Sequence, residues 1–265
     1  MRRALRFLVA VALAAPLVEG ADLPAIKARG SLRVLAVVVN QADDFFGASP
    51  GRGIDRELLE GFASLHKLRL ELVQVQSWDA LIPSLQRDKG DVIAGRFNVT
   101  ESRKKQIAFT KESFPSRHVV LTRRPHRIVN TIEEFREEKV GTVKGTSMVE
   151  IIAAAGVPAE RVDDSIPTGT LPAALKAGKV TAVVLGIENG ISARRADPDI
   201  QIGMFVGPPS SLAYGVRKTD TSLLAALDEY IDSVRKTPTW SRLVVKYFGD
   251  DALEILRRVR GEAAR

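Results

Sequence analysis

The sequence lacks cysteine altogether, and it contains three histidine, three methionine and two tryptophan residues among 265. Without cysteine, disulfide scaffolds, thiol enzymes, iron–sulfur sites and thiolate zinc fingers are excluded, because each needs a sulfur ligand or nucleophile. The sequence also lacks a G-x-S-x-G nucleophile elbow, an H-E-x-x-H zinc motif and a phosphate-binding G-x-x-x-x-G-K loop. The motifs therefore predict no metal site, no cofactor and no catalytic residue.

Low-complexity segments and blocks of one charge are also missing. Hydrophobic residues make up 45% and charged residues 27% of the chain, which is typical of a globular protein and excludes disordered, collagen-like and coiled-coil chains. The formal net charge of +7 forms no aromatic-lined basic stripe, so no nucleic-acid partner is expected. The pairs Asp43-Asp44 and Asp163-Asp164 lack the spacing of a calcium loop and are assigned to solvated loops.

Three arginines precede an apolar run at the N-terminus. Arg2, Arg3 and Arg6 are followed by apolar residues 7–18 and then by Val-Glu-Gly at 18–20. This pattern predicts a cleaved signal peptide over residues 1–20 and export to the periplasm. The run of twelve residues is too short to span a bilayer, and the alternative is a buried N-terminal helix.

Strand-like and helix-like segments alternate along the rest of the chain. Strands are predicted at 31–39, 68–75, 91–94, 118–122, 139–143, 180–185, 200–204 and 213–217. Helices are predicted at 53–65, 78–85, 147–155, 170–177, 221–236 and 239–248. This alternation predicts an α/β protein with parallel βαβ units.

Two interruptions indicate that the chain forms two lobes. Arg-Arg-Pro-His at 123–126 follows one extended run, and Gly-Pro-Pro-Ser-Ser at 207–211 precedes another. We predict lobe 1 from residues 21–123 and 211–265 and lobe 2 from residues 124–210, with a hinge near Thr122 and Ser211. A cleft between two such lobes is a natural site for a small ligand. The alternative is two ordinary loops in a single sheet.

Six segments recur in a characteristic order and spacing: LRV at 32–34, GIDREL at 53–58, SWDALIPSL at 77–85, DVIAGRFNVTESRKK at 91–105, KVGTVKGTS at 139–147 and AYGVRK at 213–218. Together they resemble the periplasmic solute-binding proteins of polar amino-acid ABC transporters, also called bacterial extracellular solute-binding proteins of family 3. The resemblance implies the two-lobed type II periplasmic-binding-protein fold and reversible ligand binding without chemistry, so no enzyme is expected. It also implies delivery of the ligand to an inner-membrane ABC permease, and we expect a monomer.

Arg103 is the main candidate for ligand binding in lobe 1. A guanidinium group can hold a carboxylate through two parallel, charge-assisted hydrogen bonds. The resemblance places the carboxylate-binding arginine at Arg103 and a polar partner at Asn98, with Thr100 close by. It also places Trp78 as a wall over the ligand side chain, and core packing is the alternative for Trp78. The alternative for Arg103 is a solvated charge in the run 103–105.

The segment Lys-Gly-Thr-Ser at 144–147 is the candidate contact from lobe 2. It follows a predicted strand and opens a predicted helix, so Gly145, Thr146 and Ser147 can present N–H groups and hydroxyls to an anion. The alternative is that Ser147 serves as the N-cap of the helix.

The sequence departs from the family at the position that usually carries a carboxylate for the α-ammonium group of the ligand, because Gly186 stands there. Glu188 lies two residues further on and is the candidate replacement, whereas a second acid found in some members corresponds to Val37. Arg96 occupies a position that is commonly small in the family, and its side chain points either into the cleft or to solvent. These differences predict a cleft richer in positive charge and an anionic or carboxylate-bearing ligand.

Two other classes of protein stay open. Cyclohexadienyl dehydratases resemble the same family, and a buried Glu188 is the one acid in the cleft that we nominate for such chemistry. A sensory or accessory binding module, which reports a ligand to a membrane partner, is the third class.

Overall fold

The computed structural model describes residues 22–39 and 43–249, together with Leu253, Leu256 and Val259. The predicted signal peptide lies outside these residues. The strands are β1 Ser31–Ala36, β2 Arg69–Gln74, β3 Val92–Ile93, β4 Ala108–Phe109, β5 Phe114–Arg123, β6 Val140–Gly141, β7 Val162–Asp163, β8 Ala182–Gly186, β9 Ile200–Leu212 and β10 Gly215–Val216.

The helices of the described residues alternate with these strands. They are α1 Leu23–Arg29, α2 Ile54–Leu65, α3 Leu81–Gln86, α4 Glu101–Lys104, α5 Ile132–Arg136, α6 Ser147–Ala154, α7 Leu171–Lys176, α8 Ile187–Ala196, α9 Thr221–Arg235 and α10 Pro238–Phe248. Two short 3-10 turns lie at Trp78–Ala80 and Ala159–Arg161.

The strands form two five-stranded sheets, ordered β2-β1-β3-β10-β4 and β7-β6-β8-β5-β9. In the first sheet β1 is parallel to β2 and β3, and in the second sheet β6 is parallel to β7 and β8. In the first sheet β10 pairs antiparallel with β3 and β4, and in the second sheet β5 pairs antiparallel with β8 and β9. Two mixed sheets with intervening helices confirm the predicted α/β class.

The chain crosses between the sheets twice, and the two crossings run side by side. It leaves the first sheet after Phe109 and enters the second at Phe114, and it returns between Leu212 and Gly215. Phe114 pairs with Leu212 at this crossing. The predicted boundary after residue 123 is therefore corrected, because all of β5 from His118 onward pairs with β8 in the second sheet.

The proline-rich segment 207–211 lies inside β9 and does not interrupt it. Proline has no N–H group to donate to a neighbouring strand, so it is tolerated in strands that lie at the edge of a sheet. Because β9 is the last strand of the second sheet, Pro208 and Pro209 are compatible with a continuous strand. The predicted strand 200–204 is correspondingly longer in the structure.

Apolar residues at helical spacing fix the helices to the sheets. Leu223, Leu227 and Ile231 of α9 are buried against the first sheet together with Val34 of β1. Burial of each such side chain stabilises the fold by about 1.5–3 kcal/mol.

The name lobe 1 denotes the first sheet with α1–α4, α9 and α10. The name lobe 2 denotes the second sheet with α5–α8.

Among the described residues, none of the helices has the length and apolar character needed to cross a lipid bilayer.

Candidate functional site

A cavity of about 270 Å³ lies where the carboxyl ends of the parallel strands of both lobes meet. Loops at the carboxyl ends of parallel strands are the usual place for a ligand in α/β proteins. The residues that line the cavity are Val39, Asp43, Asp44, Trp78, Arg96, Asn98 and Arg103 from lobe 1, and Thr142, Val143, Thr146, Ser147, Met148, Thr168, Gly169, Leu171, Pro172, Leu185, Glu188, Asn189, Ser192 and Ala193 from lobe 2.

Arg103 is buried in the wall of lobe 1 and hydrogen-bonds with backbone carbonyls. Its Nη1 donates to the carbonyl of Asn98 at 2.7 Å, its Nη2 donates to the carbonyl of Gly145 at 3.0 Å, and its Cζ lies 4.2 Å from the ring centre of Phe97. No carboxylate of the described residues lies within ion-pair distance of this guanidinium. Burial lowers the pKa of Arg103 to about 10, which leaves it charged at neutral pH.

Thr100 and Asn98 both form hydrogen bonds with Arg103, but they differ in their position relative to the cavity. Thr100 is the N-cap of α4, and its hydroxyl accepts the backbone N–H of Arg103 at 3.3 Å. It does not line the cavity, so the predicted ligand contact at Thr100 is replaced by a structural role. Asn98 does line the cavity, and its Oδ1 is buried without a hydrogen-bond partner among the described residues.

The predicted contact segment of lobe 2, residues 144–147, contributes only some of its residues to the cavity wall. Thr146 and Ser147 line the cavity, whereas Gly145 does not. A Cβ atom added at Gly145 would lie 2.6 Å from the backbone nitrogen of Asp79 in lobe 1. Glycine at this position therefore allows the two lobes to approach closely. Thr146, not Ser147, occupies the N-cap position of α6. The hydroxyl of Ser147 lies 3.4 Å from Nε2 of the buried His118.

Arg96 points into the cleft, but its charge is neutralised by Asp43, which was predicted to lie in a solvated loop. Its Nη1 and Nη2 donate to the two carboxylate oxygens of Asp43 at 2.9 and 2.7 Å. Asp43 is buried and also accepts the N–H groups of Phe45 and Phe46. Burial opposes ionisation of Asp43, but Arg96 and these N–H groups outweigh it and lower the pKa of Asp43.

Asp55 fixes the turn that carries Arg96. Arg96 has a φ of 59°, in the left-handed region that side chains other than glycine rarely adopt. The Oδ2 of Asp55 accepts the N–H groups of Gly95 and Arg96 at 3.1 and 3.2 Å, and its Oδ1 accepts the hydroxyl of Tyr214. Burial raises the pKa of Asp55 to about 6. The Asp55 carboxylate therefore positions Arg96 without lining the cavity.

Glu188 provides a buried carboxylate on the wall of lobe 2. It lies in the first turn of α8, and its Oε2 accepts the hydroxyl of Ser116 at 3.1 Å. A Cβ on Gly186 would lie 2.0 Å from Oε1 of Glu188, so the glycine leaves room for this carboxylate. Burial raises the pKa of Glu188, and hydrogen bonding with Ser116 and the charge of Arg96 oppose this rise.

Asp44 is a second acid of the cleft that was predicted to lie in a solvated loop. It is half-buried, lines the cavity and forms no side-chain hydrogen bond with the described residues. Burial and the neighbouring Asp43 raise its pKa. The cavity therefore contains three carboxylates against two guanidinium groups, so the predicted excess of positive charge in the cleft is wrong. The position of both acids directly after the first predicted strand was the signal that they belong to the cleft.

Trp78 lies between the cavity and the apolar core of lobe 1. It begins the 3-10 turn before α3, lines the cavity and packs against the apolar cluster around Leu81 and Ile93.

Two lobes joined by paired crossings, with charged groups facing one another across a cleft, define the class of two-lobed α/β ligand-binding proteins. Residues 47–250 match the sequence profile of the bacterial extracellular solute-binding proteins, family 3. The chain belongs to this family, and the predicted type II periplasmic-binding-protein fold is confirmed.

The chain is similar to proteins of more than one kind. It is 27% identical over 84% of its length to the membrane-bound lytic murein transglycosylase F of Desulfosudis oleivorans, and spans 50% of that relative. It is 26% identical to the histidine-binding periplasmic protein of Escherichia coli, over 65% of this chain and 70% of the relative. Its structure resembles that of a mutant of ArgBP from T. maritima with a TM-score of 0.75 and 27% identity, covering 85% of this chain and 98% of the other. The chain thus spans about half the length of the transglycosylase relative.

Proposed function

We propose that this protein is an exported binding protein that captures an amino acid in the cavity between its lobes and delivers it to an inner-membrane ABC permease. One observation carries the proposal. Arg103 and Glu188 are buried on the two sides of the cavity, and neither lies within ion-pair distance of an opposite charge among the described residues. A buried charge is stabilised by an opposite charge, and a carboxylate with a neighbouring ammonium group supplies both.

The acidic groups further favour a basic amino acid over the anionic ligand expected from the sequence. Asp43 is paired with Arg96, but Asp44 faces the cavity without a hydrogen-bond partner among the described residues. A cationic side chain on the ligand would be attracted to Asp44, whereas a second carboxylate would be repelled by it. The similarity to a histidine-binding periplasmic protein supports the same class of ligand.

Calorimetric titration of the protein after unfolding and refolding, which removes a copurified ligand, tests the proposal. We expect binding of L-lysine, L-arginine or L-histidine. For lysine, 6-aminohexanoate lacks the α-ammonium group and cadaverine lacks the carboxylate, so both are expected to bind far more weakly. Binding of glutarate without binding of any amino acid would overturn the proposal. It would support the anionic ligand that was predicted from the sequence.

A cleft enzyme of the dehydratase type is the second candidate, and the environment of Glu188 is the observation that favours it. Burial raises the pKa of Glu188, as required of a carboxylic acid that protonates a leaving hydroxyl. Incubation with prephenate or arogenate, followed by absorbance of the aromatic product, tests this candidate. Product formation by the wild-type protein that is lost in Glu188→Gln would establish the enzyme. A sensory or accessory role in a longer assembly is the third candidate, supported by the transglycosylase relative.

A further inference from the structure

Three described residues, Leu253, Leu256 and Val259, follow α10 beyond residue 250, where the match to the family profile ends. All three are apolar and in helical conformation, and Leu256 and Val259 are buried. We call these three residues the C-terminal strap.

The first part of the C-terminal strap packs against lobe 1. Leu256 is buried in the apolar cluster that contains Phe45, Phe114 and Phe248, and Leu253 packs against the same cluster. Phe114 is the first residue of β5, at the paired crossing between the lobes. This end of the strap is therefore held by lobe 1 next to the crossing.

The last part of the C-terminal strap belongs to lobe 2. Val259 is 2% exposed and is buried in the cluster that contains Val119, Leu121, Ile187 and Ile200 of the second sheet and its helices. Within a few residues the strap thus passes from the core of one lobe to the core of the other. A segment that is buried in both cores restrains their relative position, because separating the lobes would expose apolar surface.

The strap also contacts the helix that carries the ligand-binding acid. Leu256 lines a small cavity together with Ile187 and Ile191 of α8. Glu188 and Ser192 of the same helix line both this small cavity and the ligand cavity. Helix α8 therefore lies between the strap on one side and the cleft on the other.

A hydrogen bond fixes the other end of α8 to lobe 1. The Nη2 of Arg195 donates to the carbonyl of Phe248, the last residue of α10, at 3.2 Å. The chain continues from this point into the C-terminal strap. The contacts of Ile187, Ile191 and Arg195 with α10 and the strap therefore run along the length of α8.

We propose that the C-terminal strap is an interlobe restraint, in which Leu256 and Val259 position α8 and favour the arrangement in which Glu188 faces Arg103 across the cleft. Removing a strap contact reduces the fraction of molecules in this arrangement. The apparent affinity for a ligand falls in proportion to that fraction. Leu256 and Val259 are positioning residues, since neither lines the ligand cavity.

The absence of cysteine permits a direct measurement of the distance between the lobes. Spin labels are placed at Lys105→Cys in lobe 1 and Ala154→Cys in lobe 2, since both positions are exposed. They flank the hydrogen bond that Ser102 donates across the cleft to Glu150. We expect Val259→Ala to shift the label separation to longer distances without ligand, and to weaken binding of L-lysine or L-arginine on the order of tenfold, since it deletes two buried methyl groups.

Leu253→Ala is the matched control, because Leu253 packs against the cluster that contains Phe45 and Phe248 and is not among the described residues of the lobe 2 cluster that contains Val259. We expect it to lower the free energy of unfolding while it leaves the label separation unchanged. Val259→Thr keeps the side-chain volume and provides a second variant if Val259→Ala folds poorly. A wild-type label separation in both Val259 variants would overturn the proposal. The distance measurement needs no ligand, so it decides the role of the strap even if the proposed amino acids do not bind.

Discussion

The carboxylate of Glu188 occupies the space that a side chain on Gly186 would fill, with only 2.0 Å between Oε1 and the position of such a Cβ. Gly186 has a φ of −62°, which any residue adopts, so the glycine is required by this contact and not by its backbone. We propose that Glu188, in the first turn of α8, supplies the acid that the family usually carries at position 186.

Gly186→Ala is expected to displace Glu188 and to destabilise the protein by about 1–3 kcal/mol, the usual effect of overpacking a buried site. Urea denaturation measures the loss of stability, and calorimetry measures the accompanying loss of amino-acid affinity. The double variant Gly186→Ala with Glu188→Ala removes the clash, so it should recover stability without recovering affinity. Full affinity in the double variant would show that Glu188 is not a ligand contact.

Arg103→Ala is expected to weaken amino-acid binding by ~2 kcal/mol or more, because it removes one member of a buried charge pair with the ligand. Arg103→Lys should bind with intermediate affinity, since lysine retains the charge but not the two-pronged geometry. Lys104→Ala is the control, because Lys104 is exposed and forms an ion pair with the exposed Glu101. Equal affinities in Arg103→Ala, Arg103→Lys and Lys104→Ala would show that Arg103 does not contact the ligand.

Asp44→Asn tests the side chain of the ligand. If Asp44 faces a cationic side chain, the variant should bind arginine or lysine about fivefold more weakly, which corresponds to about 1 kcal/mol for a partly exposed ion pair. Binding of glutamine, which has no side-chain charge, should be unchanged. Asp164→Asn removes the same charge from the exposed surface of lobe 2 and controls for the net charge. A similar loss for arginine and glutamine would contradict the assignment.

The stability of the protein should depend on pH through Asp55. Burial raises the pKa of Asp55 to about 6 in the folded protein from an ordinary value of 3.8. The folded state therefore binds the proton more tightly, so this contribution to stability is full below pH 3.8 and is lost as the pH rises through about 6. The difference in free energy of unfolding between wild type and Asp55→Asn should change across this interval. A pH-independent difference would show that Asp55 does not titrate there.

Apolar alternation and the segments around Arg103 were sufficient to predict the α/β fold and the family. Both features are local in sequence, since each strand or helix is set by residues a few positions apart. The ion pair of Asp43 with Arg96 was not predictable in this way, because it joins residues 53 apart and depends on a left-handed turn at Arg96. The lobe boundary was misplaced for a similar reason, since the pairing of Phe114 with Leu212 is visible only in the sheet.

The pairing of Phe114 with Leu212 also determines how the lobes can move relative to one another. A single connecting strand would act as a swivel and allow rotation about several axes. Two paired strands hold one another in register, because sliding one past the other would break the hydrogen bonds between them. We therefore expect the lobes to move chiefly by bending at this paired crossing, which would keep Arg103 and Glu188 opposite one another.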